Sequence, residues 1–261
     1  MKSSVRLIRF LSVVILALVC SLGASAAPSP GDKSKDKGKE KEPVRQSIDS
    51  GSFGIFMNGR RVGTEKFSID QTGSGSVIKS EFKTDSAANQ ADQTSILDLS
   101  AAGEIQHYEW KELSPGKAHS VIIPNNEFLN QKWSAGPDDK EHEQPYLLPH
   151  TTSILDDYFF IHREVLVWRF LAATCKQDKG QVQCPIKQRS QFGTLDPRQH
   201  VSSPMAAEYL GREKITYKGN QQECNKVELK TENGSWFLWL DDGFKVMRII
   251  IEGDNTEVVR D

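Results

Sequence analysis

Beyond residue 26 the sequence has no apolar run near the roughly 20 residues that a bilayer-crossing helix needs, so no transmembrane helix is expected in the mature chain. Cysteine is scarce: the chain holds four, none in CxxC spacing. There is no HExxH, and the six histidines, at positions 107, 119, 142, 150, 162 and 200, are not closely paired. No metal site and no cofactor are therefore expected. A GxSxG elbow and a glycine-rich phosphate loop after a strand are also missing, so no catalytic residue is assigned and the reading is of a non-enzyme. The chain also lacks a basic excess. Its formal charge is −2, and the part beyond residue 45 is more acidic still, which disfavours nucleic acid as a partner because phosphate neutralisation requires a basic face.

What is present begins with an export signal. Lys2, Arg6 and Arg9 precede an apolar run from Phe10 to Leu22, and Ala24, Ser25 and Ala26 supply small residues for cleavage, so residues 1–26 read as a signal peptide. Cys20 follows Val19 rather than a small residue, a poor match to a bacterial lipobox. A periplasmic or secreted protein is the expectation. Residues 27–47 alternate lysine with acidic residues, carry three prolines and show no apolar periodicity, so a disordered charged linker is expected, acting as a spacer or as an arm toward anionic lipid or cell wall. Cys175, Cys184 and Cys224 remain after cleavage. The first two flank a turn-like KQDKGQVQ and form the natural disulfide in an oxidising compartment, leaving Cys224 as a buried apolar side chain, a reactive thiol or an intermolecular partner.

Residues 48–261 read as one antiparallel β domain. Asn58-Gly59 lies between two alternating runs and suits a two-residue turn with positive φ at both positions. Further turns at 73–76, 101–103, 114–116, Gly219-Asn220, Asn233-Gly234, Asp242-Gly243 and Gly253-Asp254 cut the chain into short strands, and short connections between sequential strands give an antiparallel meander. In that setting Asp241 and Asp242 read as turn residues rather than as an acid-base pair.

One segment departs from the pattern. Residues 153–174, SILDDYFFIHREVLVWRFLAAT, lack Gly and Pro, start with Ser153 as an N-cap candidate and place Asp156 and Asp157 in the first turn, so a long helix over 153–174 is expected. On a helical wheel its apolar residues fall on most sides, so it should be enclosed by a strongly curved antiparallel sheet, a half-barrel or open barrel. His162 and Arg169 project together among apolar neighbours. They form either an internal network or the polar end of a ligand cavity lined by Tyr158, Phe159, His162, Leu166, Trp168 and Arg169. Asp156, Asp157, Arg163 and Glu164 read as the solvated strip.

The opening hairpin GIFMNGRRVGTEKFSI, the central apolar segment and the terminal WFLWLDDGFKVMRIIIEG resemble uncharacterised exported bacterial proteins with a lipoprotein-carrier-like (LolA/LppX-like) half-barrel. The resemblance is architectural, covers about residues 50–261 and assigns no catalytic residue. It implies a curved sheet wrapped around a helix with an apolar cavity, hence binding of an apolar small molecule or lipid. A structural or assembly factor of the envelope, acting through protein partners, is the alternative, and an enzyme of unrecognised type a third.

Overall fold

The computed structural model describes residues 45–85, 90–178, 181–232 and 234–261, so the expected signal peptide and nearly all of the expected linker lie outside the described residues. The first half is a meander of eight strands: β1 (Gln46–Met57), β2 (Arg60–Thr72), β3 (Gly75–Thr84), β4 (Asp92–Ser100), β5 (Ile105–Ser114), β6 (His119–Asn125), β7 (Phe128–Ser134) and β8 (His142–Tyr146). A two-residue strand β9 (Ser153–Ile154), the helix α1 (Ile161–Thr174) and a small hairpin of β10 (Lys176–Asp178) and β11 (Gln181–Gln183) follow. The second half is a meander again: β12 (Arg189–Asp196), β13 (Val201–Tyr217), β14 (Asn220–Thr231), β15 (Gly234–Leu240), β16 (Val246–Ile251) and β17 (Thr256–Arg260).

All strands but β10 and β11 join one sheet in the order β8-β7-β6-β5-β4-β3-β2-β1-β17-β16-β15-β14-β13-β12-β9. Every pairing is antiparallel except β9 with β12. The two meanders meet where β1 pairs with β17, Phe53 opposite Arg260 and Met57 opposite Thr256. The outermost strands, β8 and β9, are consecutive in the chain and are linked by residues 147–152.

Local chemistry accounts for these elements. Asn58 (φ 51°) and Gly59 (φ 75°) both take left-handed backbone, as the expected β1–β2 turn requires. β13 bends at a register shift between Tyr209 and Gly211, where φ of 104° favours glycine. Period-two burial then turns one sheet face inward. Phe53, Phe67, Ile78, Leu97, Tyr108, Ile122 and Leu129 from the first meander, and Leu195, Val227, Leu229, Leu238, Ile249 and Val258 from the second, share one core with Ile161, Leu166, Val167 and Phe170 of α1. Cys224 is buried on a smaller cluster with Ile215 and Trp239.

The helix differs from the sequence expectation. It begins at Ile161, not near 153. Ser153 pairs with Thr194 in β9 rather than capping a helix. The cause is Asp156, whose carboxylate accepts a hydrogen bond from the Tyr158 backbone N–H at 2.8 Å, a local bond that competes with helix formation. The solvated strip is overturned as well: Asp156, Arg163 and Glu164 are fully buried, and only Asp157 is exposed. Each of the three buried charges is held by partners that the strands bring to it.

Candidate functional site

The segment leading into α1 is built on charge pairs. Arg198, from the turn between β12 and β13, donates from Nε to both Asp156 carboxylate oxygens at 2.8 and 2.9 Å, and Tyr108 Oη of β5 donates to Oδ2 at 3.0 Å. Arg163 donates to the Asp156 backbone oxygen at 2.8 Å, and its guanidinium lies 3.6 Å over the Trp236 ring of β15. Removing one member of such a buried set leaves a charge without its partner, which costs about 3–5 kcal/mol.

Helix α1 has Phe160 at its N-cap position and no side-chain cap of its own. Glu65 of β2 supplies one from across the molecule: its carboxylate accepts the Phe160 N–H at 2.7 Å and the Ile161 N–H at 3.3 Å, together with the Ser80 hydroxyl at 2.7 Å. Burial pushes the Glu65 carboxyl up to about 7, against the pull of these donors and of Arg163. His162, fully buried in the first turn of α1, is pushed down to about 3 by burial and by the Arg163 and Arg198 charges. Among the described residues, neither ring nitrogen of His162 has a hydrogen-bond partner.

Glu164 ties the helix to the second meander. Its carboxylate accepts the Val246 N–H at 2.6 Å and Arg260 Nη2 at 3.0 Å. Arg260 also grips Asp49 of β1, at 2.6 Å to Oδ2 and 3.2 Å to Oδ1, and Lys245 Nζ lies 2.9 Å from the same carboxylate. Burial drives the Glu164 carboxyl well above its ordinary range. Burial also opposes ionisation of Asp49, but hydrogen bonds from Arg260 and Lys245 hold it low.

This network borders a cavity of about 700 Å³ at the C-terminal end of α1. Trp168, Leu171 and Ala172 of the helix form one side, followed by Cys175. Ile48 of β1, Val182 of β11 and the Gly243–Lys245 turn complete the lining. Trp168 is fixed by its indole N–H, which donates to the Phe244 carbonyl at 2.7 Å. Cys175 and Cys184 are joined as expected, which anchors the β10–β11 hairpin beside the cavity. The volume falls in the range of about 300–1,000 Å³ usual for small-molecule sites.

Of the six lining residues expected from the sequence, Trp168 alone borders this cavity. Phe159 and Leu166 are in the core. His162 packs edge-on against Tyr108 at 5.7 Å. Tyr158, half-exposed and ahead of the helix, meets Phe82 and lies under Arg198. Arg169 turns to the segment before the helix, donating to Ser153 Oγ at 2.7 Å and to the Thr151 carbonyl. Sequence reasoning missed Ile48, Val182, Phe244 and Lys245. The turn at Asp241–Gly243 was visible, and Asp241 does close it by accepting the Lys245 N–H at 2.9 Å. Nothing local indicated that this turn meets β1 and the helix end.

A second cavity, of about 690 Å³, is polar, with Asp157, Asp196, Glu232, Glu252 and Asp254 among its lining residues and Trp236 at one wall. Among the described residues no group of three or more His, Cys, Asp or Glu side chains could hold a metal ion, and no helix is long and apolar enough to cross a membrane.

These features define a mainly antiparallel β protein with one disulfide, a helix of which eight residues are buried, and an apolar cavity at that helix's end. No protein-family model matches the chain, and no curated protein matches it in sequence. Among solved structures, the crystal structure of a DUF1089 family protein from Pseudomonas aeruginosa is similar, at 10% identity and a TM-score of 0.43, over 75% of this chain and 91% of that one.

Proposed function

We propose that this is an exported, non-catalytic protein that carries a lipid-like or other apolar molecule in the bacterial envelope, held in the cavity at the C-terminal end of α1. The observation that carries the reading is the cavity itself: its lining is apolar apart from one lysine at the end of the Gly243–Lys245 turn. The same reading takes the sheet as an incomplete barrel, as the resemblance to the lipoprotein-carrier-like fold implies. A flat sheet of this many strands would hold β8 and β9 roughly 65 Å apart at about 4.8 Å per strand. The link from Tyr146 to Ser153 reaches about 25 Å at most, which favours a sheet bent until its edges approach. Contacts across that gap support the bend: Gln131 of β7 donates to the Pro197 carbonyl at 2.6 Å, and Trp133 stacks on His200 at 4.0 Å. Helix α1 and its lead touch β2, β5, β15 and β17 alike, in keeping with a sheet that surrounds them. A Cys175–Cys184 bridge suits the oxidising periplasm or exterior.

The test uses the mature chain and a neutral apolar dye, phenylnaphthylamine. Saturable uptake at one site, reduced by Ala172→Phe, which fills the cavity, and by Trp168→Ala, is the expected result. Absence of saturable uptake, or uptake indifferent to both substitutions, overturns the reading.

A second reading, an envelope assembly factor working through protein contacts, is favoured by edge strand β8. Leu147 just beyond it is 74% exposed, and Phe128 of the neighbouring β7 is 40% exposed. A photo-crosslinker at Leu147 that captures one envelope protein in the native host, with empty cavities in the purified chain, would select this reading.

A further inference from the structure

The apolar cavity has one charged residue, Lys245, and the carboxylate that pairs with it is held independently by Arg260. Lys245 Nζ contacts Asp49 Oδ1 at 2.9 Å, and its side chain is 37% exposed. Asp49 does not depend on that contact, because Arg260 holds both of its carboxylate oxygens, at 2.6 and 3.2 Å. Arg260 is itself fixed, donating from Nε to the Val246 carbonyl at 2.6 Å and from Nη2 to Glu164 at 3.0 Å. Lys245 can therefore leave Asp49 without stranding a buried carboxylate. The turn's own carboxylates are engaged elsewhere: Asp241 accepts the Lys245 backbone N–H at 2.9 Å, and Asp242 pairs with Arg212 at 2.9 Å. At the helix end the carbonyls of the last turn carry partial negative charge, and no basic residue lies there, so an anionic group is directed away from Thr174 and toward the Gly243–Lys245 turn.

From this geometry, and resting on the apolar-cavity reading above, we infer that the site selects an amphipathic anion, a single-chain lipid ending in a carboxylate or phosphate. Its charged end pairs with Lys245, and its chain lies against Trp168 and Leu171. A lysine suits this task better than a fixed guanidinium: its ammonium is a compact charge on a flexible four-carbon stem and can pass from Asp49 to a ligand.

The experiment compares ligands of equal chain length on the mature protein: hexadecanoate, hexadecanol and a hexadecyl lysophosphatidate, each displacing phenylnaphthylamine below its aggregation concentration. The anions are expected to bind about tenfold tighter than the alcohol, the worth of one charge-assisted contact in a partly desolvated site. Lys245→Met should bring the anions to the level of the alcohol, and Lys245→Arg should preserve the preference. A preference shared by carboxylate and phosphate supports general anion selection, and a preference for one identifies the headgroup. Equal binding of acid and alcohol by the wild-type protein overturns the inference while leaving the apolar-cavity reading intact, and that comparison needs no variant to fold. A preference that survives Lys245→Met also overturns it. Failure of all three ligands and of the dye overturns the cavity reading itself.

Discussion

Glu65 and His162 are fully buried titratable groups displaced in opposite directions, and their effects on stability have opposite signs. The native state holds a proton on Glu65 up to about pH 7, whereas an unfolded chain releases it near the ordinary glutamate value of 4.5; between those limits the native state binds more protons, so this group's contribution to stability falls as pH rises. His162 loses its proton at about 3 in the native state and near 6.5 when unfolded, so its contribution is lost as pH falls through that interval. Over the shared interval from about 4.5 to 6.5 each contributes a slope of up to about 1.4 kcal/mol per pH unit, and the two nearly cancel. Urea unfolding of Glu65→Gln at successive pH values should therefore show stability climbing with pH in this interval, and His162→Leu should show it declining. Glu65→Gln should in addition lose about 1–3 kcal/mol at pH 7, because the amide turns one acceptor into a donor facing backbone N–H groups. Neither residue could be assigned its place from the sequence. Glu65 shares the inward parity of Phe67 and Ile69 in β2, but its partners Phe160 and Ile161 lie on a distant segment that the strand pattern does not reveal.

At the scale of elements, the parts set by near neighbours were legible and those set by distant ones were not. The Asn58-Gly59 turn and the Cys175–Cys184 pair depend on residues within a few positions of each other, and both are present. The helix was expected about two turns too early because apolar content and the absence of Gly and Pro do not reveal what holds Asp156 out of a helix; that role falls to Arg198 and Tyr108 from strands and turns far along the chain. For the same reason Arg163 and Glu164 passed as solvated residues, since their partners Trp236, Arg260 and Val246 come from the second meander. The disulfide carries a prediction at this scale. Cys175 and Val182 both border the cavity, so opening the bridge frees one of its walls. Replacing Cys175 and Cys184 by serine should lower stability by about 2–3 kcal/mol in the chain-entropy picture. The same double variant should weaken dye uptake more than it changes the far-ultraviolet circular dichroism, a pair of measurements that separates loss of the wall from loss of the fold.

For the molecule as a whole, the two sheet edges are joined by side chains and turns rather than by a strand ladder. Trp133 stacks on His200 and on His142, and Gln131, bonded to the Pro197 carbonyl, also accepts the Tyr146 hydroxyl at 3.0 Å. Trp133→Ala should accelerate amide hydrogen exchange in β8 and residues 147–154 while leaving the β1 and β17 amides protected; uniform acceleration would mean that the edges open only with global unfolding. The pairing of β1 with β17 sets a schedule for the entire protein. Strand β1 waits beside an empty place until residues 256–260 emerge, so the two meanders cannot be sealed to each other before that point in synthesis. A chain trimmed of its last six residues would carry two bare strand edges in the middle of its sheet and would be prone to stick to its own copies.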